Sequence, residues 1–237
     1  MTDDEATMTL VEHLEELRRR LMIIVGTILV AAVGAFFLSR GVLDLLRAQL
    51  PEQYRQLYIL GPADAFSAQL KIAGFLGIAI AMPMILFQVW RFVTPGLTRR
   101  ERRFVWPVIV AALLLFALGV GIGYIIIPYA LTFLLGFAEG MADPNLTIDN
   151  YVGFVTTMLL AFGVVLEFPI LLIGLARVGI LSHRRLASMR RWAVLAIVVF
   201  AIVMTPGGDP ISPLILSGVM YLLFEGSLLV IRLIRRR

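Results

Sequence analysis

Apolar residues along this chain gather into long unbroken runs instead of alternating with polar ones. The runs cover residues 21–39, 72–90, 104–127, 152–176, 192–204 and 211–231. A helix crosses the hydrocarbon core of a bilayer with about 20 apolar residues, so the pattern predicts six transmembrane helices. The fifth run is short, since about 13 residues rising 1.5 Å each give roughly 20 Å against about 30 Å of hydrocarbon. A re-entrant hairpin of the last two runs is the alternative to two crossings. Basic residues flank the pair at 184–191 and at 232–237, and these share a side, so the two runs cross twice or not at all. Two short helices that thin the bilayer locally, with Arg190 and Arg191 snorkelling to the headgroups, fit this pattern.

Between the runs, residues 41–50 place Val42, Leu43, Leu46 and Leu50 at helical spacing opposite Asp44 and Arg47. That spacing predicts an amphipathic helix lying at the outer interface. Pro62 and Asp64 suit the opening of a long second helix, with proline near its start and an acid in its first turn. Gly119, Gly121 and Gly123 include a small-xxx-small spacing that permits close helix approach. Pro83 and Pro169 are expected to interrupt and kink their helices. Gly140 and Asp143-Pro144-Asn145 mark turns, and no internal repeat is visible.

Composition agrees with the pattern: 60% of the 237 residues are hydrophobic, 16% are charged, and mean hydropathy is +0.93. This describes an all-α integral membrane protein forming one transmembrane domain over residues 1–237. Of the 21 Lys and Arg, 17 fall at 18–20, 91–103, 177–191 and 232–237. These alternate with segments poor in basic residues, so both termini are expected to be cytoplasmic. The first residues carry Asp3, Asp4, Glu5, Glu12, Glu15 and Glu16 instead of a basic leader, so the first span is read as retained. The net charge of +5 does not point to nucleic acid, because the arginines end apolar runs and lack interleaved aromatics.

Polar groups within the runs narrow the chemistry. Glu167 lies near the middle of the fourth run, where an ionised carboxylate facing lipid costs from about 2.5 kcal/mol upward. It therefore faces the bundle or water, as a functional polar point or as a structural acid hydrogen-bonded to the carbonyl that Pro169 leaves free. Gln88 is a candidate neutral partner for Glu167, or an interfacial amide. Glu225 lies inside the sixth run, and Asp209 in an outer turn suits a cap on the last helix. His13 and His183 have no metal-ligand partner pattern and read as solvated or capping residues. Cysteine is absent, which removes disulfides, thiolate metal sites and a cysteine nucleophile. No HExxH, GxSxG or GxxxxGK[ST] occurs, and the sole lysine, Lys71, is at an outer helix end, so neither a metal nor a cofactor nor enzyme activity is expected.

The connection at 92–103 carries Glu101 among Arg99, Arg100, Arg102 and Arg103. On the residues alone, Glu101 can pair with these neighbours or receive a cation from another molecule. Glu15 and Glu16 face the same alternatives with Arg18, Arg19 and Arg20.

Four groups of residues then add up in order and spacing. They are His13-Leu-Glu-Glu16-Leu-Arg18-Arg-Arg20; Pro83 with Gln88-x-Trp90-x-Phe92-x-x-Pro95-Gly96-Leu97-x-x-x-Glu101-Arg102; Phe162-Gly163 with Glu167-x-Pro169; and Thr205-Pro206 with Asp209, Ser212 and Leu223-Phe-Glu225. With these, the chain resembles TatC, the multispanning receptor component of the twin-arginine (Sec-independent) protein translocase, over nearly its full length. The resemblance implies six helices in a cupped bundle in a prokaryotic cytoplasmic (inner) membrane. It implies binding of twin-arginine signal peptides on folded cargo, transport driven by the proton-motive force, and single-span partners TatA and TatB with further TatC copies. By motif, Glu16 and Glu101 would be the arginine-recognising acids, with Phe92, Pro95 and Leu97 shaping the surface around them. Glu167, with Gln88, would be the intramembrane polar point, and Thr205 and Glu225 would mark the partner-docking region on the last two helices. Pro213 stands where the family often carries glutamine, so no role is carried to it, and the extra glycine in Gly207-Gly208 shifts the alignment of Asp209. The competing function is a proton-coupled small-solute transporter using Glu167, against which the missing inverted repeat counts.

Overall fold

The computed structural model describes residues 10–93, 105–137, 145–177 and 181–234. Among them the regular structure is helical: α1 Leu10–Phe36, α2 Ser39–Arg47, α3 Asp64–Val93, α4 Val105–Gly136, α5 Ile148–Val165, α6 Phe168–Arg177, α7 His183–Ser188, α8 Arg190–Met204 and α9 Ile211–Ile234. Five stretches are long and apolar enough to cross a membrane: Val11–Phe36, Asp64–Phe92, Trp106–Gly136, Ile148–Ala176 and Ile211–Leu233. The remaining predicted span is α8, whose 15 residues reach only roughly 22 Å.

Local chemistry sets the helix starts. Asp64 accepts from the backbone N–H groups of Leu60 and Gly61, both at 2.9 Å, and so fixes the approach to α3. Thr147 caps α5 by accepting from Asn150 N at 3.3 Å. Asp209 caps α9 by accepting from Ser212 N at 2.7 Å, as its position in the turn predicts. The expected amphipathic helix is α2, which begins at Ser39 and buries Leu46 with Leu50 just beyond it.

The bundle is organised around α5, the most enclosed of the apolar helices, while α1 is the least enclosed. Tyr151, Val152, Val155, Met158, Leu159 and Phe162 of α5 form one core with residues of α2, α3, α4 and α9. A second core joins Met82, Leu86 and Trp90 of α3 to Ile109, Ala112 and Phe116 of α4 and Ile170 of α6. Helices α1 and α3 run antiparallel, with Arg20 beside Gln88 and Ala32 against Gly77. At the end opposite the arginines, Tyr151 donates to the Leu46 carbonyl at 2.6 Å, and Lys71 pairs with Asp149 at 2.7 Å. There Tyr58 N donates to Leu146 O and Ile148 N to Tyr58 O, both at 2.9 Å, so the connections before α3 and α5 clasp each other.

Of the two expected interruptions at proline, the one at Pro169 is present and the one at Pro83 is corrected. The fourth run is two helices, broken at Leu166 and Glu167, one turn before Pro169. Proline cannot donate to the carbonyl four residues earlier, and the chain tightens around the gap through Glu167 N to Val164 O at 3.1 Å and Ile170 N to Glu167 O at 3.0 Å. Pro83, by contrast, does not interrupt α3, which continues through it. Packing against α1, α4 and α5 supports that helix through one lost hydrogen bond, as membrane helices tolerate.

Candidate functional site

At the arginine-rich end, α1 and α3 bring together His13, Glu16, Arg20, Gln88 and Phe92. Heptad-like spacing on α1 stacks His13, Glu16 and Arg20 on one face, since residues three and four apart are neighbours on a helix. Arg20 donates Nε to Glu16 Oε1 at 3.0 Å and Nη2 to the same oxygen. Its remaining arm, Nη1, donates to Gln88 Oε1 at 3.2 Å. Glu16 Oε2 is enclosed and accepts no hydrogen bond, with His13 Nδ1 at 4.0 Å. The His13 imidazole lies flat on the Phe92 ring, with centroids 4.3 Å apart and planes 16° from parallel. Arg20 and Glu16 are mostly enclosed, their side chains 13% and 18% exposed. Enclosure strengthens their attraction but also costs desolvation, so removing either partner alone would strand a charge.

Of the residues singled out from the sequence, the structure unites Glu16 with Gln88 and Phe92. Glu101, Pro95 and Leu97 lie outside the described residues. The suggested pairing of Gln88 with Glu167 is corrected. The buried Gln88 accepts from Arg20 and its Nε2 points to Met84 Sδ at 3.6 Å, because antiparallel packing of α1 on α3 sets Arg20 at that level. Glu167 stands at the α5–α6 break, partly exposed, with Oε1 enclosed and without a hydrogen bond. It does not bond the carbonyl that Pro169 leaves free.

Near the last helices, Glu225 Oε2 accepts from Arg190 Nη2 at 2.9 Å, so Arg190 is tied to α9 and does not snorkel freely. Thr205 is buried and returns its hydroxyl to the Ala201 carbonyl at 2.9 Å, closing α8. Sequence reasoning leaves one partner open among alternatives and misses another. Arg20 was one of three arginines near Glu16, and the i,i+4 spacing was the signal that selects it. The sequence suggests a solvated or capping His13, and nothing along the chain announces its stack on Phe92. Among the described residues, no cluster of three His, Asp or Glu is placed to hold a metal ion.

The assembly of apolar spans with an enclosed, charge-bearing junction at one end defines a polytopic helical membrane protein. The comparisons with known proteins specify it further. The family described as Sec-independent protein translocase protein (TatC) matches residues 12–218. The Sec-independent protein translocase protein TatC of Carboxydothermus hydrogenoformans is 34% identical over 98% of this chain and 96% of its own length. The chloroplastic TATC protein of Arabidopsis thaliana is 34% identical over 98% of this chain and 69% of its own. A crystal structure of the twin arginine translocase receptor TatC superposes with a TM-score of 0.80 at 34% identity, covering 94% of this chain and 99% of that one. The chain belongs to the TatC family and is a membrane component of the Sec-independent protein translocase. Solute transport through Glu167 is not favoured by this membership.

Proposed function

We propose that this chain is the receptor and scaffold of a twin-arginine translocation system. In this reading it binds signal peptides bearing consecutive arginines on folded cargo, and export is driven by the proton-motive force without covalent chemistry in this chain. The single membrane domain would cross a prokaryotic inner membrane six times in a cupped bundle with both termini cytoplasmic, counting α8 and α9 as short spans. The observation that carries the reading is the junction of Glu16 with Gln88 and Phe92 at the arginine-rich end. A carboxylate accepts the planar fork of arginine with charge and geometry together, which lysine does not match. Glu101 would supply the second acid, with Pro95 and Leu97 shaping its surroundings. Glu167 would face the concave side, and α8 and α9, around Thr205 and Glu225, would dock the single-span partners TatA and TatB. Further copies of TatC would complete the assembly.

The test is photocross-linking from positions 92–103 to a twin-arginine signal peptide, with a twin-lysine peptide as control. Glu16→Ala and Glu101→Ala are expected to weaken the cross-link with the bundle still folded. Unchanged cross-linking in the double variant removes this site.

A further inference from the structure

The arrangement around Glu16 is asymmetric. Arg20 places two donors on Oε1 and spends its third arm on Gln88, while Oε2 accepts nothing. The group facing Oε2 is His13, with Nδ1 at 4.0 Å and a ring stacked on Phe92 at 4.3 Å. A flat, nitrogen-bearing ring therefore sits between an aromatic face and a carboxylate oxygen. A guanidinium fits the same position. It is planar, stacks on aromatic faces, and donates in its plane to carboxylates.

We propose that His13, stacked on Phe92 and facing Glu16 Oε2, is a resident placeholder in the arginine site proposed above and is displaced when a signal-peptide arginine enters. The inference rests on the reading of Glu16 as an arginine acceptor. Arg20 and Gln88 are positioning residues in this scheme. Arg20 holds Oε1 and Gln88 holds Arg20, so the incoming side chain exchanges with His13 and not with Arg20. Departure of His13 strands no buried group, since its side chain is already 45% exposed and on the first turns of α1. Lysine has no plane to lay on Phe92 and gains less from the exchange.

The chain has two histidines, His13 and His183, so histidine-labelled full-length protein in nanodiscs gives two sets of ring resonances, assigned with a His13→Gln variant. Stacking on Phe92 displaces the His13 signals from those of a free histidine. Titration with a twin-arginine signal peptide, its binding followed independently by fluorescence anisotropy, is expected to move them to the free-histidine position as binding saturates. A twin-lysine peptide is expected to leave them in place. His13→Ala is expected to bind the twin-arginine peptide about two- to fivefold more tightly, the factor a partly exposed cation–aromatic contact carries. Saturated binding with the His13 signals unmoved overturns the placeholder while leaving Glu16 as acceptor. Binding that is indifferent to Glu16→Ala removes both.

Discussion

Two single side chains carry bonds whose loss has a defined sign. Tyr151 is buried and its hydroxyl is the donor to the Leu46 carbonyl, which joins α5 to the end of α2. Tyr151→Phe removes this bond while the carbonyl keeps Gln49 N as a donor at 3.0 Å, a cost of about 0.5–1.5 kcal/mol. Thermal unfolding in detergent is expected to shift down accordingly, with signal-peptide binding at the far end of the bundle unchanged. Glu225 behaves differently because its cation is half exposed: the Arg190 side chain is 54% exposed and Glu225 28%. The pair itself is worth little, about 0–1 kcal/mol, yet Glu225 Oε1 already lacks a hydrogen bond. Arg190→Ala therefore leaves a whole carboxylate uncompensated among apolar neighbours, whereas Arg190→Ala with Glu225→Gln removes the charge as well. The single variant is expected to be the less stable of the two, and a double variant that is no better than the single would contradict this account.

At the scale of the helix pair, α4 and α5 approach backbone to backbone. A Cβ built on Gly119 lies 2.8 Å from Gly163 Cα, and one on Gly123 meets Phe162 at 3.2 Å, while Gly121 has nothing within 4 Å. Gly119→Ala thus pushes against backbone that cannot turn aside, at a cost of about 1–3 kcal/mol. Gly121→Ala is expected to be neutral, and equal effects of the two on detergent unfolding would show that the close approach is not what the glycines serve. This contact was legible from the small-xxx-small spacing, as were the apolar helices, because run length and periodicity are properties of one dimension. The break at Leu166 and Glu167 is legible as an interruption at Pro169, but the same signal at Pro83 misleads, since proline removes a donor at a known place and packing decides whether the helix parts or continues. The junction of Glu16 was half legible. Arg20 follows from i,i+4 spacing, whereas Gln88, 68 residues away, and Phe92 beneath His13 depend on how α1 lies along α3.

The whole molecule raises the question left by α8, whose 15 residues fall short of a bilayer. If α8 and α9 formed a re-entrant hairpin, their turn would lie within the hydrocarbon. The turn instead meets the far end of the neighbouring helices: a Cβ on Gly207 would touch Phe154 of α5 at 2.8 Å and Leu134 of α4 at 3.2 Å, and Leu134 lies two residues from the end of α4. That is the end carrying the Lys71–Asp149 pair and the Tyr58 clasp, while Arg190 at the start of α8 meets Glu225 in the second half of α9. The six-span arrangement proposed above follows if the bilayer thins around α8, a deformation of modest energy per ångström. Because the chain has no cysteine, each introduced thiol is the only one present. A membrane-impermeant maleimide applied to intact cells is expected to label Pro210→Cys and Gln53→Cys, both at exposed positions, but to label Arg184→Cys only after permeabilisation. Labelling of Gln53→Cys without Pro210→Cys would mean that the last two helices enter and leave on one side, and the count of six would be lost.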